Sequence, residues 1–283
     1  MTEQQALAKV AATWPELDAW RDRFNAPFSP AAGSDLAHDD SDWPPQPISQ
    51  VAWHGLASAT MHLHAIRFHL DSRVRPPELI PFAQMTLGRS ALIGATQAVW
   101  VLSPDDPAER VMRARMSAEE YLNEHRKYLA VLTALAPDHA STRIVSELTN
   151  QRLNELKALR ERDGQRVKLN TTQIVQDAAA TTFPDNAEVQ ADILSMWRKS
   201  SGSAHGLIWS LLGGHSSREA TAEELTTPPV AAADAEVVVH QRSGEMIALA
   251  NLYLAVHLIA KRGWKLLDGR GQRADQAVRG RQR

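Results

Sequence analysis

The stretch Glu78–Leu102, ELIPFAQMTLGRSALIGATQAVWVL, decides the fold class. Its apolar run shows none of the alternation of a half-buried strand, so it reads as one long apolar helix. Gly88 and Gly94 cross it, Arg89 sits inside it between Leu87 and Leu92, and Ser103-Pro104 closes it. A helix this apolar needs other helices around it, and the flanking sequence supplies them.

On the N-terminal side, Val51–Ser72 carries Trp53, Leu56, Leu63, Ile66 and Leu70 broadly on one side and ends before Pro76-Pro77. On the C-terminal side, Asp105-Asp106-Pro107 opens a helix to about Ala136, with acidic residues and proline where the macrodipole and the missing donor favour them. Arg110, Arg113, Glu120, Glu124 and Lys127 fall on its expected wet face. Pro137-Asp138 begins another helix reaching Arg162 and stopping at Asp163-Gly164. Residues 165–184 look irregular, with Val167-Lys168-Leu169 as a short extended piece. A helix from Asn186 to Met196 leads into a Ser/Gly-rich segment that continues helically through Leu212. Residues 213–235 read as a loop, and Val237–Leu267 as a last core helix.

The expectation is an all-α helical bundle of about six main helices over residues 48–268. Residues 1–47 read as an N-terminal helical appendage, Glu3–Phe24 with a bend at Pro15, followed by a Pro-rich linker. Residues 269–283 read as a basic, disordered tail. From Lys261 onward there are eight Lys and Arg against Asp268 and Asp275, so steering of a polyanion is the alternative reading of that end.

Composition narrows the classes of function. The chain has 283 residues, a net charge of −2 and no cysteine, so disulfides and thiolate metal sites are excluded. Its N-terminus lacks the pattern of a signal peptide, and Met246–Ala260 is too short and too interrupted to span a bilayer. The expectation is a cytoplasmic protein with no membrane contact. There is no phosphate-cradling Gly-rich loop before Lys-Ser/Thr, no dinucleotide turn, no His-Glu-x-x-His and no Glu-x-x-His pair for a di-iron bundle. No cofactor and no metal are expected.

His54, His62, His64 and His69 share one helix, and His62 and His69, seven apart, share a face where two imidazoles could hold a metal or phosphate. No carboxylate there completes a ligand set, so they read as polar-face or interhelix histidines. Arg89 must find a carboxylate, a helix end or an anion; the readings are an ion pair with the helix near Asp105, or a ligand contact.

The strongest candidate for chemistry is Trp197-Arg198-Lys199-Ser200-Ser201-Gly202-Ser203-Ala204-His205-Gly206. Histidine exchanges protons near neutrality, and arginine holds a phosphate at two points. Arg198 and His205 are seven positions apart, on one face of a helix, or brought together across a turn if the helix breaks at Gly202. Ser200, Ser201 and Ser203 are small polar residues that let backbone approach a ligand. The bland reading is a kink at close-packed helices, with His205 hydrogen-bonded in the core and Arg198 solvated.

Arg198-x6-His205 resembles the Arg-x4–6-His signature of HEPN domains, which are helical bundles. The longer string also resembles Tyr/Trp-Arg-x-x-Ser-Gly-x-x-His-Gly of uncharacterised bacterial, chiefly actinobacterial, helical proteins, with Arg89-Ser90-Ala91-Leu92 and Val99-Trp100-Val101-Leu102 as a second similar string. Lys199 stands where the nucleases carry a small polar residue, and Ile93 where related families place a Glu. The resemblance implies metal-independent RNA cleavage, with His205 as general acid/base and Arg198 stabilising the phosphorane. It also implies that Ser200 or Ser203 orients the phosphate, that the protein is a homodimer whose motifs meet at the interface, and that it has a toxin or defence role with an antitoxin partner. The alternative from a different class is a non-catalytic binding or interaction protein using the same Arg/His groove, with Arg89, Ser200, Ser201 and Ser203 contacting the ligand.

Overall fold

The computed structural model describes residues 2–71, 73, 79–164, 169–210 and 235–272, and these are all-helical with no strand among them. In chain order the helices are α1 (Glu3–Ala11), α2 (Trp14–Asp22), α3 (Asp35–Asp40), α4 (Ile48–Leu70), α5 (Pro81–Leu102), α6 (Pro107–Leu135), α7 (Ala140–Arg162), α8 (Thr171–Thr182), α9 (Ala187–Ala204) and α10 (Ala235–Gly271). No described helix is long and apolar enough to cross a membrane. The expected extended piece at Val167-Lys168, the loop over 213–234 and the tail from 273 lie outside the described residues.

α5 is the central element: it packs against α4, α6, α8, α9 and α10. Proline at its N1 position sets its start three residues later than the sequence suggests. Its glycines explain its closeness to its neighbours. A Cβ on Gly55 of α4 would lie 2.6 Å from the Gly94 carbonyl oxygen, and one on Gly94 would strike the Gly55 oxygen. A Cβ on Gly88 would meet the Leu252 side chain of α10, and one on Gly263 of α10 would approach Leu56 at 2.9 Å. The α4 and α5 backbones therefore approach more closely than larger side chains would allow, while Leu252 and Leu56 pack into the space that Gly88 and Gly263 leave between α10 and its neighbours.

The C-terminus of α5 leaves carbonyls without helical partners. Arg113 and Arg270 supply donors to these carbonyls, and Arg110 serves the carbonyls just beyond them. Arg113 donates to the Trp100 oxygen (2.7 Å), Arg270 to those of Leu102 (2.7 Å) and Pro104 (2.9 Å), and Arg110 to Pro104 (3.0 Å) and Asp105 (2.8 Å). Positive charge at this end also opposes the macrodipole. Arg110, expected on a wet face, is only 1% exposed and makes a two-point pair with Asp39 of α3, at 2.6 and 3.1 Å. The wet-face reading missed it because Arg110 falls where α6 crosses both α3 and the end of α5.

Residues 1–47, expected as an appendage and linker, are built into the same core: Ala6, Val10, Leu17, Trp20 and Leu36 belong to one cluster with Leu92, Val99, Tyr253 and Leu267. The stretch read as a single bent helix is α1 and α2, parted at Ala12-Thr13. Asp40 then caps α4 by accepting from the Ser49 backbone at 2.9 Å. The irregular stretch expected over 165–184 contains α8 instead. Asn170 caps it, accepting from Thr172 (3.0 Å) and Gln173 (3.3 Å), and Ile174, Val175, Ala178 and Ala179 bury one side. A second, small cluster of Trp43, Ala118, Leu122, Leu153 and Leu156 joins α6 to α7, which run on together as an arm beyond the main core.

Two stability predictions follow from this packing. Asp39→Ala should cost about 3–5 kcal/mol in urea unfolding, because it leaves the Arg110 charge buried without its counter-ion; a loss under about 1 kcal/mol would show that the pair is not a structural tie. The second concerns His257 of α10, buried and stacked on Trp20 at a 4.8 Å centroid distance. Burial pushes its imidazole down to about 4, with Lys261 adding to the effect and Glu16, 3.2 Å from Nε2, opposing it. The unfolded chain takes up this proton near 6.5, before the folded one does, so the neutral ring's contribution is complete above pH ~6.5 and is lost as pH falls toward 4. The shift corresponds to a loss on the order of 3 kcal/mol. Wild type should therefore lose more stability than His257→Phe between pH 7 and 4; parallel profiles would refute the assignment.

Candidate functional site

The Trp197–Gly206 string forms the last two turns of α9 and its termination. α9 runs unbroken through Gly202 to Ala204, so neither a break at Gly202 nor a helix continuing to Leu212 is observed. The Gly206 N–H donates to the Ser203 oxygen (3.0 Å) and the Leu207 N–H to the Gly202 oxygen (2.9 Å), with Gly206 at φ +69°. This is a Schellman stop, whose left-handed residue favours glycine. His205 is the C-cap residue just before it. A short 3-10 turn, Ile208–Ser210, then folds back on α9. A Cβ on Gly202 would lie 2.7 Å from the Trp209 ring and 2.9 Å from Ser210 Cβ, so the small residue makes room for that return.

The serines are occupied in the same way. Ser200 is fully buried and donates to the Trp197 oxygen (3.1 Å). Ser203, also buried, bonds Ser210 Oγ (3.0 Å) and the Lys199 oxygen (3.3 Å). Neither hydroxyl faces an open phosphate site. Ser201 accepts from Arg89 Nε at 3.0 Å, and the Arg89 guanidinium lies 4.8 Å from the Trp197 ring centroid. The structure thus brings Arg89, Trp197 and Ser201 together and joins α5 to α9; the expected partner near Asp105 is not the one Arg89 takes. Lys199 is half-buried, and desolvation lowers its pKa while Glu245 acts against this.

Arg198 and His205 are both exposed. On one continuous helix seven residues separate them by about 10 Å along the axis, at nearly the same azimuth. His205 is not in the core, and its side chain has no hydrogen-bond partner among the described residues.

A large concavity lies elsewhere among the described residues. A cleft of about 1010 Å³ opens between α4, α5, α6, α7 and α8. Trp43, Ile93, Tyr121, Leu169 and Ile174 supply apolar wall, Gln50, Ser58, Ser90 and Gln97 polar groups, and Glu120, Glu124 and Arg152 charge. Its volume is at the upper end of the ~300–1,000 Å³ of small-molecule sites. α4 presents His54, Ser58 and His62 to it, at intervals of four on one helix face. His62 Nδ1 lies 2.7 Å from the Ser58 carbonyl oxygen. A carbonyl only accepts, so Nδ1 carries the proton in this contact, and in the neutral ring Nε2 is left as an acceptor. His69, paired with His62 by the sequence reading, does not line this cleft, and His64 turns to the Leu17 oxygen (3.3 Å), where burial lowers its pKa. The His54-x3-Ser58-x3-His62 spacing was the available signal for this face. The interval of seven drew the reading to His69 instead. No cluster able to hold a metal ion occurs among the described residues.

Comparison with protein-family models, with curated proteins and with solved structures finds no match.

Proposed function

We propose that this chain is a binding protein whose ligand occupies the cleft between α4, α5, α6, α7 and α8. The observation that carries the reading is the fixed His62 ring inside a cleft of about 1010 Å³. An imidazole locked through Nδ1 offers Nε2 as an oriented acceptor, and placed polar groups beside apolar wall are what orient a ligand in a small-molecule site. The ligand class is an amphipathic organic molecule. Its apolar body would lie against Trp43, Ile93 and Ile174, and a donor would point at His62. Glu120 and Glu124 favour positive charge at the rim. A cytoplasmic location accompanies this reading.

The test is a ligand-observed NMR screen of small aromatic amines against the full chain. Hits should bind at least tenfold more weakly to His62→Ala, and Ile93→Trp should remove binding by filling the cleft, with circular dichroism of both variants unchanged. Hits indifferent to both substitutions would defeat the proposal.

A second reading is favoured by one observation: Arg198 and His205 are exposed on one face of α9, the exposure that an RNA-cleaving pair requires. In this reading the chain is a HEPN-like, metal-independent endoribonuclease related to the actinobacterial proteins that share its string. His205 acts as acid/base and Arg198 stabilises charge, in a homodimer restrained by an antitoxin. Purified protein should then cleave single-stranded RNA in EDTA, and His205→Ala should slow cleavage about 100-fold or more. Absence of cleavage across varied RNAs, or equal cleavage by both proteins, would sink it.

A further inference from the structure

The arm made by α6 and α7 carries half of the large apolar side chains left exposed among the described residues. Tyr121, Tyr128, Val131 and Leu135 on α6, with Ile144, Val145 and Leu148 on α7, are 39–78% exposed. Their intervals on α6 are seven, three and four, the spacing of a coiled-coil seam. This is a second seam. The one joining α6 to α7 is already filled by Ala118, Leu122, Leu153 and Leu156.

At 100° per residue, each exposed stripe lies roughly a third of a turn from the filled seam, in the same rotational sense along each helix. Because the two helices run antiparallel, both stripes look to one side of the arm. Tyr121 and Arg152, at the base of the two stripes, both line the cleft, which identifies that side.

We propose that this face is a homodimer interface, occupied by a second copy of this chain with its arm antiparallel. Size supports the assignment. Taking ~200 Å² for a fully exposed large side chain, the seven residues present roughly 800 Å². That equals the ~800 Å² per partner of a standard interface and exceeds the ~300–600 Å² of the largest patch on a typical monomer. Chemistry supports it too. The distal stripe, from Tyr128 to Leu148, is apolar or aromatic at every position named and offers no charge to select a charged partner, whereas a second copy presents the same apolar surface. The antiparallel direction follows from bulk. The face looks toward the side where α4 and α5 form the far wall of the cleft, so parallel arms would bring two main bodies into the same space. Antiparallel arms set each body beyond the other's tip.

The test uses the full chain, whose lack of cysteine makes single-cysteine variants unambiguous. Light scattering should give a dimer of the 31.2 kDa chain. Val131→Asp/Leu135→Asp should weaken self-association at least a hundredfold, with an unchanged helical spectrum. Tyr128→Cys, near the two-fold axis, should cross-link copies with a short bis-maleimide, whereas Lys157→Cys, on another side of the arm, should not. A monomeric wild type, a dimer indifferent to the Asp substitutions, or equal cross-linking through Lys157→Cys would each overturn the proposal.

Discussion

Gly55 and Gly94 hold α4 and α5 at backbone contact, and the remaining architecture is arranged around that approach. No side chain larger than hydrogen fits at either position without moving a carbonyl, because the obstacle on each side is main chain rather than a flexible side chain. Side-chain rearrangement can absorb a misplaced methyl group in an ordinary core, but backbone against backbone leaves only helix displacement. α10 meets α5 at Gly88 and α4 at Gly263 through leucine side chains, Leu252 and Leu56, that fill the space over each glycine, so three helices form a tight centre to which α8, α9 and the N-terminal helices are added.

That centre creates two electrostatic requirements. α5, buried along most of its length, ends in carbonyls inside the molecule, and burial without donors would cost about 1–3 kcal/mol for each. Arg110, Arg113 and Arg270 reach the end from two different helices, and Asp39 balances one of these charges. The N-terminal stretch is thereby joined to the core by an ion pair as well as by apolar burial. On the other side, the close approach of α4 and α5 forms the floor of the cleft: Gly55 and Gly94 both line it, with His54, Ser58 and His62 rising along α4.

The fold class was legible because the signals behind it are local. An apolar run without alternation, prolines and acidic residues at helix starts, and Gly after helix ends are properties of a few neighbouring residues. What was not legible depended on partners distant in sequence. Arg110 sits in a polar-looking helix, and only contact with Asp39, far back in the chain, makes it a core residue. α8 was missed because Thr-Thr-Gln-Ile-Val is weak helix sequence; Asn170 capping and burial of Ile174 and Ala178 against α5 override propensity. The Pro-rich composition of residues 25–47 suggested a linker, but composition does not register Leu36 in the core or Asp40 at the end of α4.

The α9 string shows how one pattern can encode two things. Ser-Gly-Ser followed by His-Gly suggested a ligand-cradling segment, and each small residue has a structural reason instead. Gly202 admits Trp209, Ser203 holds Ser210, Ser200 closes on its own helix, and Gly206 adopts the left-handed turn that stops α9. Trp197 and Ser201 are engaged by Arg89. Subtracting these, and the half-buried Lys199 near Glu245, leaves Arg198 and His205 as the exposed titratable or charged side chains of the string. A helix stop needs neither a guanidinium nor an imidazole at those positions, since any polar residue could occupy an exposed face and a C-cap. The packing of α9 therefore accounts for the small residues of the pattern and is indifferent to its two ends. Arg198 and His205 are exposed and face outward from the bundle, so it is on them that the proposed RNA-cleaving reading rests.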